Sequence, residues 1–347
     1  MKMSLRNTLA ERILVLDGAM GTMIQRYHLA EEDYRGKRFA AVQIPQKGNN
    51  DLLCLTQPQI IAEIHRQYLE AGADIIETCS FNSQRISMAD YGMEDLVVEL
   101  NEAAVRIAKE QADAMTRLTP HKPRFVVGSI GPTSKTTSLS PDVENPAFRA
   151  ITFDELVEAY VEQMVVLIRG GVDALLIETV FDTLNAKAAI YAATEAMKIV
   201  GKQTEIMLSA TVADSAGRTL SGQTLAAFWA SVEHAGMLSV GLNCSFGAKD
   251  MKPYLKELAD LATCYVSAYP NAGLPNQMGE YDETPETMAT HVKQYIDESL
   301  VNIIGGCCGT TPAHIAAYAP LVEGAAPRIP KKDNQRLRLA GLEMLEI

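Results

Sequence analysis

The residues best equipped for chemistry in this chain are its cysteines. Cys307 and Cys308 stand side by side in "NIIGGCCGTTP" (302–312), and Cys244 closes the run "MLSVGLNCS" (237–245). Thiolates bind zinc strongly, and three of them around a tetrahedral ion leave one position open, as in catalytic rather than structural zinc sites. A free thiol with a pKa of about 8.5 is mostly protonated at neutral pH, whereas coordination to zinc holds it as a thiolate. A substrate thiol in the open position would therefore be ready to attack an electrophilic carbon. A vicinal disulfide between Cys307 and Cys308 is the competing reading, disfavoured by its strain and by a reducing compartment. Cys54, Cys79 and Cys264 read as buried free thiols. The histidines show no ligand spacing and read as surface or core residues.

Three distant thiols need a scaffold that gathers them. Eight short apolar runs recur along the chain, each ending in a polar or glycine-rich cluster: 13–21, 73–81, 125–133, 172–180, 205–214, 237–245, 264–273 and 301–309. Between them lie helical patterns such as "PQIIAEIHRQYLEAG" (58–72) and "FDELVEAYVEQMVVLIRGG" (153–171), apolar at spacings of three and four and ending in glycine. The units echo one another, "EAGADIIET" (70–78) resembling "RGGVDALLIET" (169–179). This alternation predicts an α/β fold, a (β/α)8 TIM barrel, spanning residues 1–325. A doubly wound sheet is the alternative, but "DGAMGT" lacks the third glycine of its dinucleotide loop.

Barrel active sites sit at the C-terminal ends of the strands. The residues predicted to converge there are Asp17, Glu77, Thr78, Thr133, Glu178, Thr179, Asp214, Asn243, Cys244, Asn271, Cys307 and Cys308. Strands six and eight would lie about 10 Å apart, within reach of one ion with zinc–sulfur bonds of about 2.3 Å. Adjacent residues of a strand point to opposite faces. For Cys307 and Cys308 to share a metal the backbone must turn, which Gly305, Gly306 and Gly309 can permit.

The 347 residues are 47% hydrophobic, enough for a large core, and the formal net charge of −12 argues against nucleic acid as a partner. The N-terminus lacks a signal-peptide apolar region and no run is long enough for a membrane span, so a cytoplasmic protein without membrane partners is expected. After residue 325, "RIPKKDNQRLRL" reads as a linker or tail (326–347).

Several motifs together carry a resemblance: "ILVLDGAMGTMIQ", "GADIIET", "GPTSKTTSLSPDVENPAF", "LLIETVFDTLNAKAA", "DSAGRTLSGQT", "GLNCS", "YPNAGLPN" and "GGCCGTTPAHI". They resemble the homocysteine-binding module of cobalamin-dependent methionine synthase, within the zinc-dependent homocysteine S-methyltransferases. The resemblance implies zinc on Cys244, Cys307 and Cys308, with homocysteine bound through sulfur. It implies substrate contacts from Asp17, Gly18, Thr78 and Glu178, and Asn243 is placed with them. A carboxylate would pair with the ammonium, and glycine would let backbone N–H groups approach the substrate carboxylate. It further implies that methylcobalamin, bound outside this segment, supplies the methyl group. No aspartate stands two residues before any of the histidines, as a cobalamin-binding box requires. Cobalamin- and methyltetrahydrofolate-binding modules, in the same or a partner chain, are therefore the expected partners, and the chain would be an excised or separately encoded part. A free-standing enzyme using S-methylmethionine or betaine, or a noncatalytic barrel with structural or redox cysteines, are the alternatives. Two departures stand out. Strand two reads "ETCSF" where relatives more often carry asparagine and threonine after Glu-Thr, and strand seven ends in Tyr269 rather than histidine, so Tyr269 is assigned no acid–base role.

Overall fold

The computed structural model describes residues 4–277, 279, 281–333 and 336–347. Each predicted run contains one strand: β1 (Leu14–Val15), β2 (Ile75–Glu77), β3 (Phe125–Ile130), β4 (Ala174–Val180), β5 (Glu205–Ala210), β6 (Ser239–Gly247), β7 (Tyr265–Asn271) and β8 (Ile303–Ile304). They pair in parallel in the order β1-β8-β7-β6-β5-β4-β3-β2, and a bridge between Leu16 and Ile75 closes the ring. The fold is the (β/α)8 barrel.

Alternation along the strands explains how both faces are filled, since successive side chains point to opposite sides. Leu14, Leu16, Phe125, Val127, Ala174 and Leu176 form an inner cluster, joined by Leu5 and Leu9 of the helix Leu5–Glu11. Val15, Val126, Leu175 and Ile177 face outward into the larger cluster shared with the helices. Helix Phe153–Gly170 begins at a reciprocal cap between Thr152 and Glu155 and ends at Gly171, whose φ of 88° is left-handed. Its stop is of the kind glycine allows without steric cost.

The seam between β1 and β2 has a single bridge, so side chains must complete it. Asp74, fully buried, does this: its Oδ2 accepts from Val15 N at 2.9 Å, and its backbone N–H donates to Val15 O at 2.7 Å. The Arg12 guanidinium meets both of its carboxylate oxygens, at 2.8 and 3.0 Å. Losing Asp74 leaves the buried Val15 N–H without its acceptor, while the partly exposed Arg12 can turn to water. Asp74→Ala is therefore expected to destabilise the fold by about 1–3 kcal/mol, read as a lower denaturant midpoint; a loss under about 0.5 kcal/mol would refute the seam's dependence on it.

Described residues after 325 touch the barrel at two places. Arg328, 4% exposed, donates to the carbonyls of Ala259, Ala262 and Cys264. A hairpin of β9 (Arg338–Ala340) and β10 (Met344–Glu346) follows, and Leu342 O accepts from Thr224 N at 3.0 Å. Among the described residues no helix is long and apolar enough to cross a membrane.

Candidate active site

The three predicted thiols meet. Cys244 Sγ lies 3.4 Å from Cys307 Sγ and 3.6 Å from Cys308 Sγ, and all three sulfurs fall within 4.8 Å of one another. A tetrahedral ion with bonds of about 2.3 Å separates its sulfurs by about 3.8 Å, so the cluster fits zinc with little movement. The ligands come from the end of β6 and the turn after β8, as the barrel requires.

Unusual backbone aims these sulfurs. Cys244 and Ser245 have φ of 58° and 57°, and the register of β6 against β7 shifts between Cys244 and Gly247. Left-handed φ at non-glycine residues costs about 1–3 kcal/mol each and persists only where the surroundings enforce it. Here Val212 N donates to Ser245 Oγ at 2.8 Å and Thr211 Oγ1 donates to Asn243 O at 2.9 Å. After β8, Cys307 N donates to Pro270 O, Thr310 Oγ1 donates to Cys307 O, and Gly309 N donates to Thr22 Oγ1.

The glycines work differently from the expected conformational hinge. Only Gly309 has a left-handed φ, of 81°. Gly305 and Gly306 are needed for close approach: a Cβ on Gly306 would sit 2.4 Å from Thr310 Oγ1, and one on Gly305 would sit 2.8 Å from Leu16 Cβ.

The sulfurs share protons unequally. Thiol donation from Cys244, then from Cys307, pulls Cys308 down to about 3. Cys307 is pushed well above the ordinary thiol range, first by its hydrogen bond to Cys244. Cys244 accepts from Cys307 but donates to Cys308 and loses solvent, which holds it up at about 12. Of the three, Cys308 is the sulfur most readily ionised. Asn271 Oδ1 adds a buried oxygen at the end of β7 with no hydrogen-bond partner.

Next to the thiols lies a cavity of about 500 Å³ lined by Asp17, Gly18, Thr78, Glu178, Cys244, Cys307 and Cys308, together with Glu77. Asp17 Oδ2 accepts from Glu77 N at 3.1 Å. Glu178 accepts from the Ser129 hydroxyl and from Tyr269 OH at 3.5 Å, and shares a side-chain hydrogen bond with Glu77. Burial, followed by the charges of their neighbours, drives Asp17 and Glu77 well above the usual carboxylate range. Burial also lifts Glu178, to about 7. Among the described residues lining the cavity there is no lysine, arginine or histidine.

Two predicted contacts are engaged elsewhere. Thr78 Oγ1 bonds Ser80 Oγ at 2.6 Å and accepts from Ser129 N at 3.0 Å. Asn243 does not line the cavity: its Oδ1 accepts from Thr179 N and Ser209 Oγ, and its Nδ2 donates to Thr179 Oγ1 and approaches Cys307 Sγ at 4.0 Å. Asn243 thereby braces Thr179, itself at φ 56°. Thr133 and Asp214 are also absent from the described cavity wall.

Glu77 had been placed at the mouth without a role, although the repeat points to it. "GADIIET" and "GVDALLIET" put Glu77 and Glu178 at equivalent strand ends. Asp51, which also lines the cavity, comes from a loop with no such signal.

Fold and site together define a parallel β/α barrel with a three-thiol metal cluster beside an acidic pocket. The chain belongs to the homocysteine S-methyltransferase family, whose sequence model matches residues 14–322. Among solved structures it is similar to the homocysteine methyltransferase MmuM from Escherichia coli. The metallated form is 23% identical, with 89% of this chain and 96% of that chain covered and a TM-score of 0.67. The apo form is 21% identical, with 90% and 96% covered and a TM-score of 0.63.

These findings correct the narrower resemblance. The quoted motifs lie essentially within the stretch the whole family shares, so they mark the family and not a cobalamin-linked methionine synthase module. This chain covers 96% of MmuM, which leaves no room there for a cobalamin or folate module. The expected cobalamin- and methyltetrahydrofolate-binding partners, and methylcobalamin as donor, are withdrawn accordingly.

Proposed function

We propose that this chain methylates homocysteine to methionine at a zinc held by Cys244, Cys307 and Cys308, with a small onium compound of the S-methylmethionine type as donor. The observation that carries this reading is the three-sulfur cluster opening onto a cavity walled by carboxylates and lacking basic side chains among the described residues. When bound, zinc supplies the positive charge that keeps the substrate thiol deprotonated at neutral pH. Asp17, Glu77 and Glu178 take the homocysteine ammonium, and that cation draws the protons off the crowded carboxylates. Gly18 lets the backbone come close to the substrate: a Cβ there would lie 2.8 Å from both Thr310 Oγ1 and the Tyr68 ring, leaving no space for a side chain.

The transfer is an in-line displacement. The substrate sulfur forms a bond to the donor's methyl carbon, the carbon–sulfonium bond breaks, and its electron pair stays on the departing neutral thioether. No general base is required once the thiol is ionised, so the protein's contribution is orientation and charge. The acidic wall supports a cationic donor over a zwitterionic one such as betaine.

Metal analysis combined with parallel assays of methionine formation tests this. Stoichiometric zinc and turnover with S-methylmethionine are expected. Turnover with betaine alone would overturn the donor assignment, and absence of both zinc and turnover would leave a noncatalytic barrel.

A further inference from the structure

The cavity contains a fourth carboxylate, whose hydrogen bonds run to the loop after β2 and to none of the three assigned to homocysteine. Asp51 lies in the short 3-10 turn Asn50–Leu52 and is 3% exposed. It shares its part of the wall with Asn50, Cys79, Phe81 and Asn82. Its two oxygens are used unequally. Oδ2 accepts from Asn82 N at 2.7 Å and Ser83 Oγ at 2.9 Å, fixing the loop after β2. Oδ1 meets the Cys79 thiol at 3.9 Å, a long contact to a weak donor.

A buried carboxylate ordinarily needs a cation or several strong donors. Burial raises Asp51 only to about 6, so it is largely ionised at pH 7. With no basic side chain on the described cavity wall, its counter-charge must arrive with a ligand. Homocysteine brings one ammonium, and Asp17, Glu77 and Glu178 surround that end of the cavity. At about 500 Å³ the cavity falls in the range that holds drug-sized ligands, about 300–1,000 Å³, and so has space for a second small molecule.

We propose that Asp51 is the specificity-determining residue for the methyl donor, its Oδ1 pairing with the positive charge of a small onium compound. This rests on the proposed function above and deepens it. Phe81 also lines the cavity, and an aromatic ring is a group that attracts onium ions. Oδ2 meanwhile holds the loop that carries Phe81, so one side chain both shapes and charges the subsite.

Titration calorimetry of the zinc-loaded chain with S-methylmethionine, and separately with homocysteine, tests the assignment. Asp51→Asn keeps an oxygen for Asn82 and Ser83 but removes the charge. It is expected to weaken S-methylmethionine binding about 10- to 100-fold, while homocysteine affinity stays within about twofold. Ser83→Ala loosens the clamp and leaves the charge, so donor affinity is expected to hold. If the wild type binds S-methylmethionine and Asp51→Asn binds it equally well, Asp51 is not the determinant and the proposed function stands. Equal losses for both ligands, or the same donor loss in Ser83→Ala, would make Asp51 a loop clamp and overturn the assignment. Homocysteine binding without any S-methylmethionine binding by the wild type would overturn the donor reading and this inference with it.

Discussion

Cys308→Ser is expected to retain less than about a tenth of the wild-type zinc and to form methionine at least about 1,000-fold more slowly. The size of the effect follows from the geometry. Cys308 is the most readily ionised sulfur of the cluster and lies 3.6 Å from Cys244 Sγ. A serine hydroxyl neither ionises in the working range nor matches the softness of sulfur toward zinc. Outer-shell groups around a metal already cost about 10- to 100-fold when lost, and a ligand costs more. Because the side chain lies in the turn after β8 and outside the core clusters, the barrel should persist, which circular dichroism can verify. Full zinc retention with unchanged activity would end the catalytic-metal reading.

The second large effect belongs to Glu178. Glu178→Gln is expected to raise the KM for homocysteine about 30- to 100-fold, the worth of a buried charge-assisted contact of about 2–3 kcal/mol, with zinc content unchanged. It should also alter the pH profile. In the free protein burial holds Glu178 up at about 7, so below that pH the carboxyl is mostly protonated. Ammonium binding needs the carboxylate, and a proton must leave for the substrate to enter. Wild-type kcat/KM for homocysteine should therefore fall as pH drops below about 7. In the glutamine variant this acid limb should flatten. A variant with wild-type KM and an unchanged limb would remove Glu178 from the ammonium site.

Much of this architecture was legible because period and composition carry it. Runs such as "FVVGSIGPT" and "VDALLIETV" alternate between the inner and outer clusters, and their ends must converge in a barrel. The thiols were legible for the same reason, since Cys244 and the 307/308 pair close the sixth and eighth runs. Loop residues were not. Asp51 reaches the cavity from the Asn50–Leu52 turn, tied to the loop after β2 through Asn82 N, and nothing in its neighbours' spacing encodes that path. The use of Asn243 was hidden as well. A polar residue at a strand end reads as a substrate contact, but its amide is consumed by Thr179 and Ser209. The cobalamin and folate partners were expected for a different reason. The quoted motifs lie essentially within the stretch matched by the family model, 14–322, and so mark the family and not one methyl source within it.

The left-handed backbone at Thr179, Cys244 and Ser245 bears on whether this site can be moved elsewhere. An isolated peptide carrying "GLNCS" would relax Cys244 and Ser245 into ordinary conformations, and the Cys244 sulfur would lose its aim. The cluster is therefore not a portable cassette that a designer could graft onto an arbitrary loop. Its coordinates are owned by the closed ring of strands, which holds three residues of β4 and β6 where they would not rest by themselves.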